Sequence, residues 1–113
     1  MKQTVRMLVC GGRDFSDFSL MTRILNVALD RYDIEVLIHG AAKGADRLAG
    51  QWAKINSIPV EEYPANWNRD KKAAGPIRNQ RMLVEGMPGL TVAFPGGSGT
   101  KDMIQRSKKA GIR

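Results

Sequence analysis

The sequence predicts a small Rossmann-like α/β domain of three layers, with helices on both faces of a parallel sheet of four to five strands. Short apolar runs alternate with segments of helical periodicity along the chain. The apolar runs are nearly continuous, as in strands that are covered on both faces. Glycine-rich turns follow three of these runs, as is common where a strand leads into a helix.

Strands are predicted over 5–10, 34–39, 59–63 and 90–94, and residue 112 would begin a fifth. Helices are predicted over 16–30, 45–56, 76–85 and 101–110, with Ser16, Asp17 and Ser19 as candidate N-caps and Pro76 in a first turn. The polar segment 65–75 is predicted to be a loop. The expected inward-facing residues are Leu20, Ile24 and Val27 (with Met21, Leu25 and Ala28 beside them), then Leu48, Ala49, Trp52 and Ile55, and finally Met103, Ile104 and Ser107.

Length and composition limit the class of protein. A chain of 113 residues predicts a single domain over 1–113. No apolar run approaches the roughly 18 to 20 residues that span a bilayer, so we expect a cytoplasmic protein without a membrane partner. Because Cys10 and His39 are the only residues of their types, we expect no internal disulfide and no metal site. His39, which ends an apolar run, is predicted to be a core histidine bonded to the backbone.

The net charge of +7 favours an anionic partner, either a nucleotide, nucleic acid or phosphate, although such a charge can also serve solubility alone. The glycines give this partner a place, since three groups of them follow the first, second and fourth predicted strands. These groups are 11–12, 40–44 and 96–99. In an open parallel sheet all three turns lie at the carboxyl edge, where ligands bind.

The chemistry of these turns suits phosphate. Glycine leaves backbone N–H groups uncovered, and a helix N-terminus adds unpaired donors with a partial positive charge. The hydroxyls of Ser98 and Thr100 would add donors. The alternative is a set of tight turns without a ligand. The turn at 96–101 is not a Walker A loop, since Gly99-Thr100-Lys101 has the wrong order, and no GxGxxG follows the first strand. We therefore expect no dinucleotide or other cofactor.

Five blocks of the sequence together resemble one known family. They are CGGRDF at 10–15, HGAAKGADRLA at 39–49, YPANW at 63–67, AAGPIRNQRM at 73–82 and AFPGGSGTKDM at 93–103. They resemble the YspA-like branch of the SLOG superfamily, which also contains the Smf/DprA proteins and the LOG phosphoribohydrolases. The resemblance implies a Rossmann-like fold that binds nucleotides or nucleotide-derived ligands.

The resemblance also implies site residues. The PGGxGTxxE motif of LOG enzymes is matched at 95–100, but its glutamate position is Met103, which has no acid or base. Arg78 and Met82 match the R-K-x-x-M setting with Asn79 in place of the lysine, and Arg78-Asn79-x-Arg81 is similar to the R-N-R run of Smf proteins. The binding half of the LOG site is thus present without its carboxylate. Arg78 and Asp102 are the candidate catalytic residues, and Asp102 points about 100° away from position 103 on a helix.

The complete predicted ligand site joins the glycine turns to the charged residues beside them. Its members are Gly11, Gly12, Arg13, Asp14, Gly40, Lys43, Gly44, Asp46, Arg78, Asn79, Arg81, Pro95, Gly96, Gly97, Ser98, Gly99 and Thr100. The predicted anion partners are Arg13 and Arg78, because a guanidinium binds phosphate with two parallel hydrogen bonds. Asp14 or Asp46 would face a ribose, unless Asp46 only begins a helix. For Trp67 two roles are possible, stacking on a base or anchoring its loop, and the sequence favours neither.

Three functions follow as hypotheses. The first is a sensor-like or regulatory domain that binds a nucleotide or a nucleotide derivative. The second is a LOG-like enzyme that cleaves the base from a nucleoside 5′-monophosphate, for which no carboxylate is evident. The third is DNA binding of the Smf/DprA type, which the charge supports but which lacks a series of aromatic residues for stacking. By resemblance to LOG proteins, a homodimer or larger homo-oligomer is expected.

Overall fold

The computed structural model describes residues 2–113, so Met1 of the predicted domain lies outside the described residues. Its strands form one parallel sheet in the order β3-β2-β1-β4. The strands are β1 (Gln3–Cys10), β2 (Tyr32–His39), β3 (Val60–Glu62) and β4 (Leu90–Ala93), and the helices are α1 (Phe18–Arg31), α2 (Ala45–Ile55), α3 (Trp67–Asp70), α4 (Ala74–Gly86) and α5 (Ser98–Lys109), with a 3₁₀ turn at Lys71–Ala73. This confirms the predicted α/β class. None of the helices in residues 2–113 is long and apolar enough to cross a membrane.

The sheet has a hydrophobic core on each face. Met7 packs with α1 and α2 on one face, whereas its neighbour Leu8 packs with Met82 of α4 and Met103 of α5 on the other. This alternation follows from the two-residue period of a strand. Because both faces are covered, the strand positions are apolar in succession, which is the pattern that predicted a parallel sheet.

The predicted inward face of the first helix was wrong by one residue. Met21 and Leu25 are fully buried, whereas Ile24 and Val27 are 40% and 51% exposed. Asp17 caps the helix through a hydrogen bond that its side chain accepts from the amide of Leu20. With apolar residues at adjacent positions, two stripes about 100° apart were available, and packing chose the one that holds Leu25.

Two further inward positions were also wrong. Ile55, the last residue of α2, is 71% exposed, and the buried stripe is formed by Ala49, Trp52 and Ala53. In α5 the buried positions are Thr100, Met103 and Ser107, and Ile104 is only partly buried. In both helices, small or hydroxyl-bearing residues take core positions close to the sheet.

The segment predicted to be a loop contains helix α3 and the 3₁₀ turn. The side chain of Asn66 caps α3 by accepting a hydrogen bond from the amide of Arg69. None of the residues of α3 is buried, so the sequence has no apolar periodicity there that would predict a helix. Helix α5 begins at Ser98, three residues before the predicted start, because glycine at 99 is a poor helix former and concealed the first turn.

A fifth strand is not part of the described sheet. The amide of Thr91 in β4 donates to the carbonyl oxygen of Arg113 at 2.7 Å, so the segment at 112–113 lies beside β4. That single bond does not make a ladder, and the sheet within residues 2–113 has four strands.

Neighbouring strands β1 and β4 bring two glycine turns together. Both strands run in the same direction, and the chain order reverses between them, as predicted for the ligand crevice. The amide of Gly12 donates to the carbonyl oxygen of Pro95 at 2.8 Å. A Cβ at Gly12 would lie 2.9 Å from the Cα of Gly96, so the close approach of the two turns requires glycine there.

Substituting Gly44 should destabilise the fold. Gly44 has a φ of 74° and a ψ of −123°, which other residues avoid, and a Cβ would collide with the carbonyl oxygens of Gly12 and Arg13. We expect Gly44→Ala to lower the free energy of unfolding by about 2 kcal/mol or more, as measured by urea denaturation. The matched control is Gly99→Ala, whose Cβ would meet no atom within 4 Å. Equal stability of the two variants would contradict the tight contact at Gly44.

Candidate anion-binding site

A cavity of about 320 Å³ lies at the carboxyl edge of the sheet, where β1 and β4 end. Its walls come from the turn after β1, the loop after β2, helix α4 and the first turn of α5. The predicted site residues that line it are Gly11, Gly12, Arg13, Asp14, Asp46, Arg78, Asn79, Gly97, Ser98, Gly99 and Thr100. The geometry thus brings together residues that are up to 89 positions apart in the chain, from Gly11 to Thr100.

The remaining predicted residues lie beside or outside this cavity. Pro95 and Gly96 line an adjoining cavity in front of the turn after β1. Arg81 is exposed and pairs with Glu85, with its guanidinium over the ring of Tyr63. Lys43 is exposed in the loop after β2, and Gly40 and Gly44 shape that loop without lining the cavity.

Arg78 brings a positive charge into the cavity without forming a salt bridge to a carboxylate. Its Nη1 donates to the carbonyl oxygen of Gly40 at 2.6 Å, and its Nε donates to Oδ1 of Asn79 at 3.0 Å. Both acceptors are neutral, and within residues 2–113 Arg78 forms no salt bridge. Burial lowers the pKa of Arg78, Asp46 acts against this shift, and the nearby charge of Arg13 adds to it. An arginine stays protonated nonetheless, so the cavity holds a charge that is only partly compensated.

Asn79 fixes the direction of Arg78. Its side chain is buried, and while Oδ1 accepts from Arg78, Nδ2 donates to the carbonyl oxygen of Gly99 at 3.2 Å and to Oδ2 of Asp102 at 3.0 Å. The amide therefore ties α4 to the first turn of α5. Sequence resemblance placed Asn79 in the ligand site, and the contacts show that it also positions Arg78.

Asp46 orders the loop after β2. Its carboxylate is buried, and Oδ2 accepts hydrogen bonds from the amides of Gly40 and Ala42, both at 3.2 Å. Burial raises the pKa of Asp46, and these amides together with the neighbouring His39 and Arg78 act against this shift. Oδ1 accepts no hydrogen bond from the described residues. One oxygen is thus structural, and the other remains open to a ligand.

His39 has the structural role predicted for it. It is buried, and its Nδ1 accepts a hydrogen bond from the amide of Ala41 at 2.9 Å. Burial lowers the pKa of His39, so the ring is neutral near pH 7.

Gly97 and Gly99 are glycines that the fold itself does not require. A Cβ at either position would meet no atom within 4 Å, and neither residue has a positive φ. Both line the cavity, so the open space in front of them is cavity space. Gly97 precedes α5 without a side-chain cap, so the first amides of the helix are not bonded within it.

Carboxylates of α5 do not reach the cavity. Met103, at the glutamate position of the LOG motif, is fully buried in the core beside Leu8. Oδ2 of Asp102 is bound to Asn79 and to Nε of Arg106, and the residue lines a separate groove between α4 and α5. The carboxylates that line the cavity are Asp14 and Asp46. Within residues 2–113, no cluster of three or more His, Cys, Asp or Glu could hold a metal ion.

Sequence reasoning missed three lining residues: Cys10, Ala42 and Met82. Two of them had a signal. Cys10 is the last residue of β1, directly before the glycine turn, and Met82 follows Arg78 by one helical turn. Ala42 had none beyond its place in the loop after β2.

The thiol of Cys10 should be unreactive in the folded protein. Burial, with a smaller contribution from the charge of Asp46, raises the pKa of Cys10 to about 12. Since the thiolate is the reactive form, we expect alkylation by iodoacetamide at pH 8 to be at least roughly 100-fold slower in the folded than in the urea-unfolded protein. The measurement is the alkylated fraction by mass spectrometry over time. Equal rates in the two states would contradict the burial.

Comparisons with known proteins identify the family of this chain. The gene 61 protein of Mycobacterium phage D29 is 35% identical over 116 aligned positions, which cover 95% of this chain and 91% of the relative. No solved structure shows a significant match. A family model described as YspA, cpYpsA-related SLOG family matches residues 5–69, which hold the first two glycine turns, Asp46 and Trp67. The chain therefore belongs to the YspA, cpYpsA-related SLOG family.

Proposed function

We propose that this protein binds a nucleotide or nucleotide-derived ligand and acts as a sensor-like or regulatory domain, with the ligand's phosphate in the cavity at the carboxyl edge. One observation carries the proposal. The unpaired guanidinium of Arg78, the nearby Arg13 and the uncapped N-terminus of α5 face the same cavity. Family membership supports the nature of the ligand, because it indicates binding or processing of nucleotide-related molecules.

The electrostatics favour a phosphate in particular. The charge of Arg13 lowers the pKa of Arg78, because the two guanidinium groups repel each other. An anion bound between them would offset this repulsion. The α5 N-terminus contributes the equivalent of about half a positive charge and several free amides. The missing side chains of Gly97 and Gly99 let phosphate oxygens approach those amides.

Asp46 and Asp14 support a sugar next to the phosphate. Oδ1 of Asp46 lacks a partner among the described residues, and Asp46 lines the same cavity as the arginines. A carboxylate oxygen in this position accepts hydrogen bonds from hydroxyl groups, as a ribose would offer. The second oxygen, held by the amides of Gly40 and Ala42, keeps the carboxylate in place.

The two alternative functions have less support. Hydrolysis of the glycosidic bond needs a carboxylate near the anomeric carbon, and α5 supplies none, since Met103 lies in the core and Asp102 binds Asn79 and Arg106. The reaction would therefore depend on Asp14 or Asp46. DNA binding by the basic end of α5, at 106–109, would lie roughly 15 Å from the cavity, since the helix rises about 1.5 Å per residue.

A panel of nucleoside 5′-monophosphates should reveal the ligand class. A ligand at 100 times its dissociation constant adds about 2.7 kcal/mol to the free energy of unfolding, which raises the melting temperature by roughly 10 °C in a domain of this size. We expect at least one of AMP, GMP, CMP and UMP to give such a shift in a thermal denaturation series. Chromatography of the same mixtures for free base tests the enzymatic alternative.

The outcomes separate the hypotheses. Release of free base would replace the sensor by a hydrolase. Salt-sensitive binding of an oligonucleotide without any shift by the mononucleotides would overturn the proposal in favour of nucleic-acid binding. If neither a mononucleotide shifts the melting temperature nor an oligonucleotide binds, nucleotide binding is overturned altogether.

Gly99→Ala should weaken ligand binding without destabilising the fold. Its Cβ would project into the open cavity space in front of the α5 amides. We expect the affinity for the best nucleotide to fall roughly 10-fold or more by calorimetry, since a hydrogen bond to a charged group contributes about 1.5–3 kcal/mol. The melting temperature of the free variant should stay equal or rise, because alanine is the better helix former.

Gln105→Ala is the matched control for this substitution. It is an exposed position of the same helix outside the cavity, and its affinity should equal that of the original protein. An unchanged affinity of Gly99→Ala would place the phosphate away from the α5 N-terminus.

A further inference from the structure

Trp67 is an exposed aromatic residue that lines a groove of its own and contacts Arg13 of the cavity wall. Within residues 2–113 it is the one aromatic among the large apolar side chains that are exposed, with 49% of its surface accessible. It begins helix α3, which buries none of its residues. The indole is therefore not part of either hydrophobic core cluster.

Arg13 connects this indole to the cavity. The guanidinium carbon of Arg13 lies 5.4 Å from the centroid of the Trp67 ring, within the range of a cation–π contact. Arg13 also lines the cavity together with Arg78. The Trp67 ring also borders the first turn of α4, since a Cβ at Gly75 would lie 3.8 Å from its Cη2. One residue thus contacts both the indole and the space assigned to the phosphate.

We propose that Trp67 and Arg13 form the subsite for the base, so that the cavity selects a nucleotide over a sugar phosphate or inorganic phosphate. This inference rests on the proposed function, since it assumes that the phosphate lies between Arg13 and Arg78. Bases stack on exposed aromatic rings and on the planar guanidinium of arginine. Because the indole is half exposed, a base can stack on the part of the ring that Arg13 leaves open.

The chain offers a direct reporter for this contact. Its two tryptophans differ in environment, because Trp52 is 1% exposed and donates from Nε1 to Oδ1 of Asn26, whereas Trp67 is half exposed. Stacking of a base on Trp67 should quench its fluorescence on excitation at 295 nm. We expect AMP or GMP to quench the emission of the full chain and ribose 5-phosphate to leave it nearly unchanged.

Substitutions of Trp67 measure its share of the affinity. For Trp67→Ala, we expect the dissociation constant for the best nucleotide to rise roughly 5- to 100-fold, which is the range for loss of one stacked base, whereas that for ribose 5-phosphate stays the same. Trp67→Phe keeps an aromatic ring, so its dissociation constant for the nucleotide should lie between those of the original protein and Trp67→Ala. Arg69→Ala is the control, since Arg69 is an exposed residue of the same short helix and pairs with Asp70.

The outcomes keep the two proposals apart. If the nucleotide and ribose 5-phosphate bind equally well and Trp67→Ala changes neither constant, the base subsite is wrong while phosphate binding stands. If the nucleotide binds without quenching and Trp67→Ala is silent, the base lies elsewhere and the inference fails. If neither compound binds the unmodified chain, both proposals are overturned together.

Discussion

A partly buried positive charge without a salt bridge is the constraint on which this account depends. Arg78 is held by neutral oxygens of Gly40 and Asn79, and a second arginine lies close enough to lower its pKa. A charge in this setting raises the free energy of the empty cavity, because water is partly removed and Asp46 compensates the charge only in part. The same arrangement stabilises a bound anion, and a phosphate has the size and charge that the cavity can take.

The fold supplies this arrangement through the position of β1 between β2 and β4. All parallel strands end at one edge, so the turns after β1, β2 and β4 and the helices that follow them converge there. Asn79 adds the connection between helices, since its amide contacts Arg78 and the first turn of α5 at the same time. The arginine and the helix N-terminus therefore form one unit with fixed geometry rather than two independent anion contacts.

Much of this could be predicted because glycine and strand patterns are local signals. The glycine turns at 11–12 and 96–99 follow directly from the residues, and the parallel sheet places them together. The register of α1 could not be predicted, since Ile24 and Leu25 are equally apolar and only packing distinguishes them. Helix α3 was missed because it buries no residue and depends on a cap. The contact of Arg13 with Trp67 joins residues 54 positions apart, and a periodic pattern in the sequence cannot predict a contact between such distant residues.

The central claim is that bare amides at the start of α5 bind the phosphate, and chemical-shift mapping of the ¹⁵N-labelled chain tests it most directly. During titration with the best nucleoside monophosphate, the account predicts the largest amide shifts at Gly97, Gly99 and Thr100, with a second group at Gly11 and Gly12. Phosphate-bound amides move downfield because they donate to a charged acceptor. Shifts confined to the basic end of α5 at 106–109, with the amides at 97–100 unmoved, would contradict it.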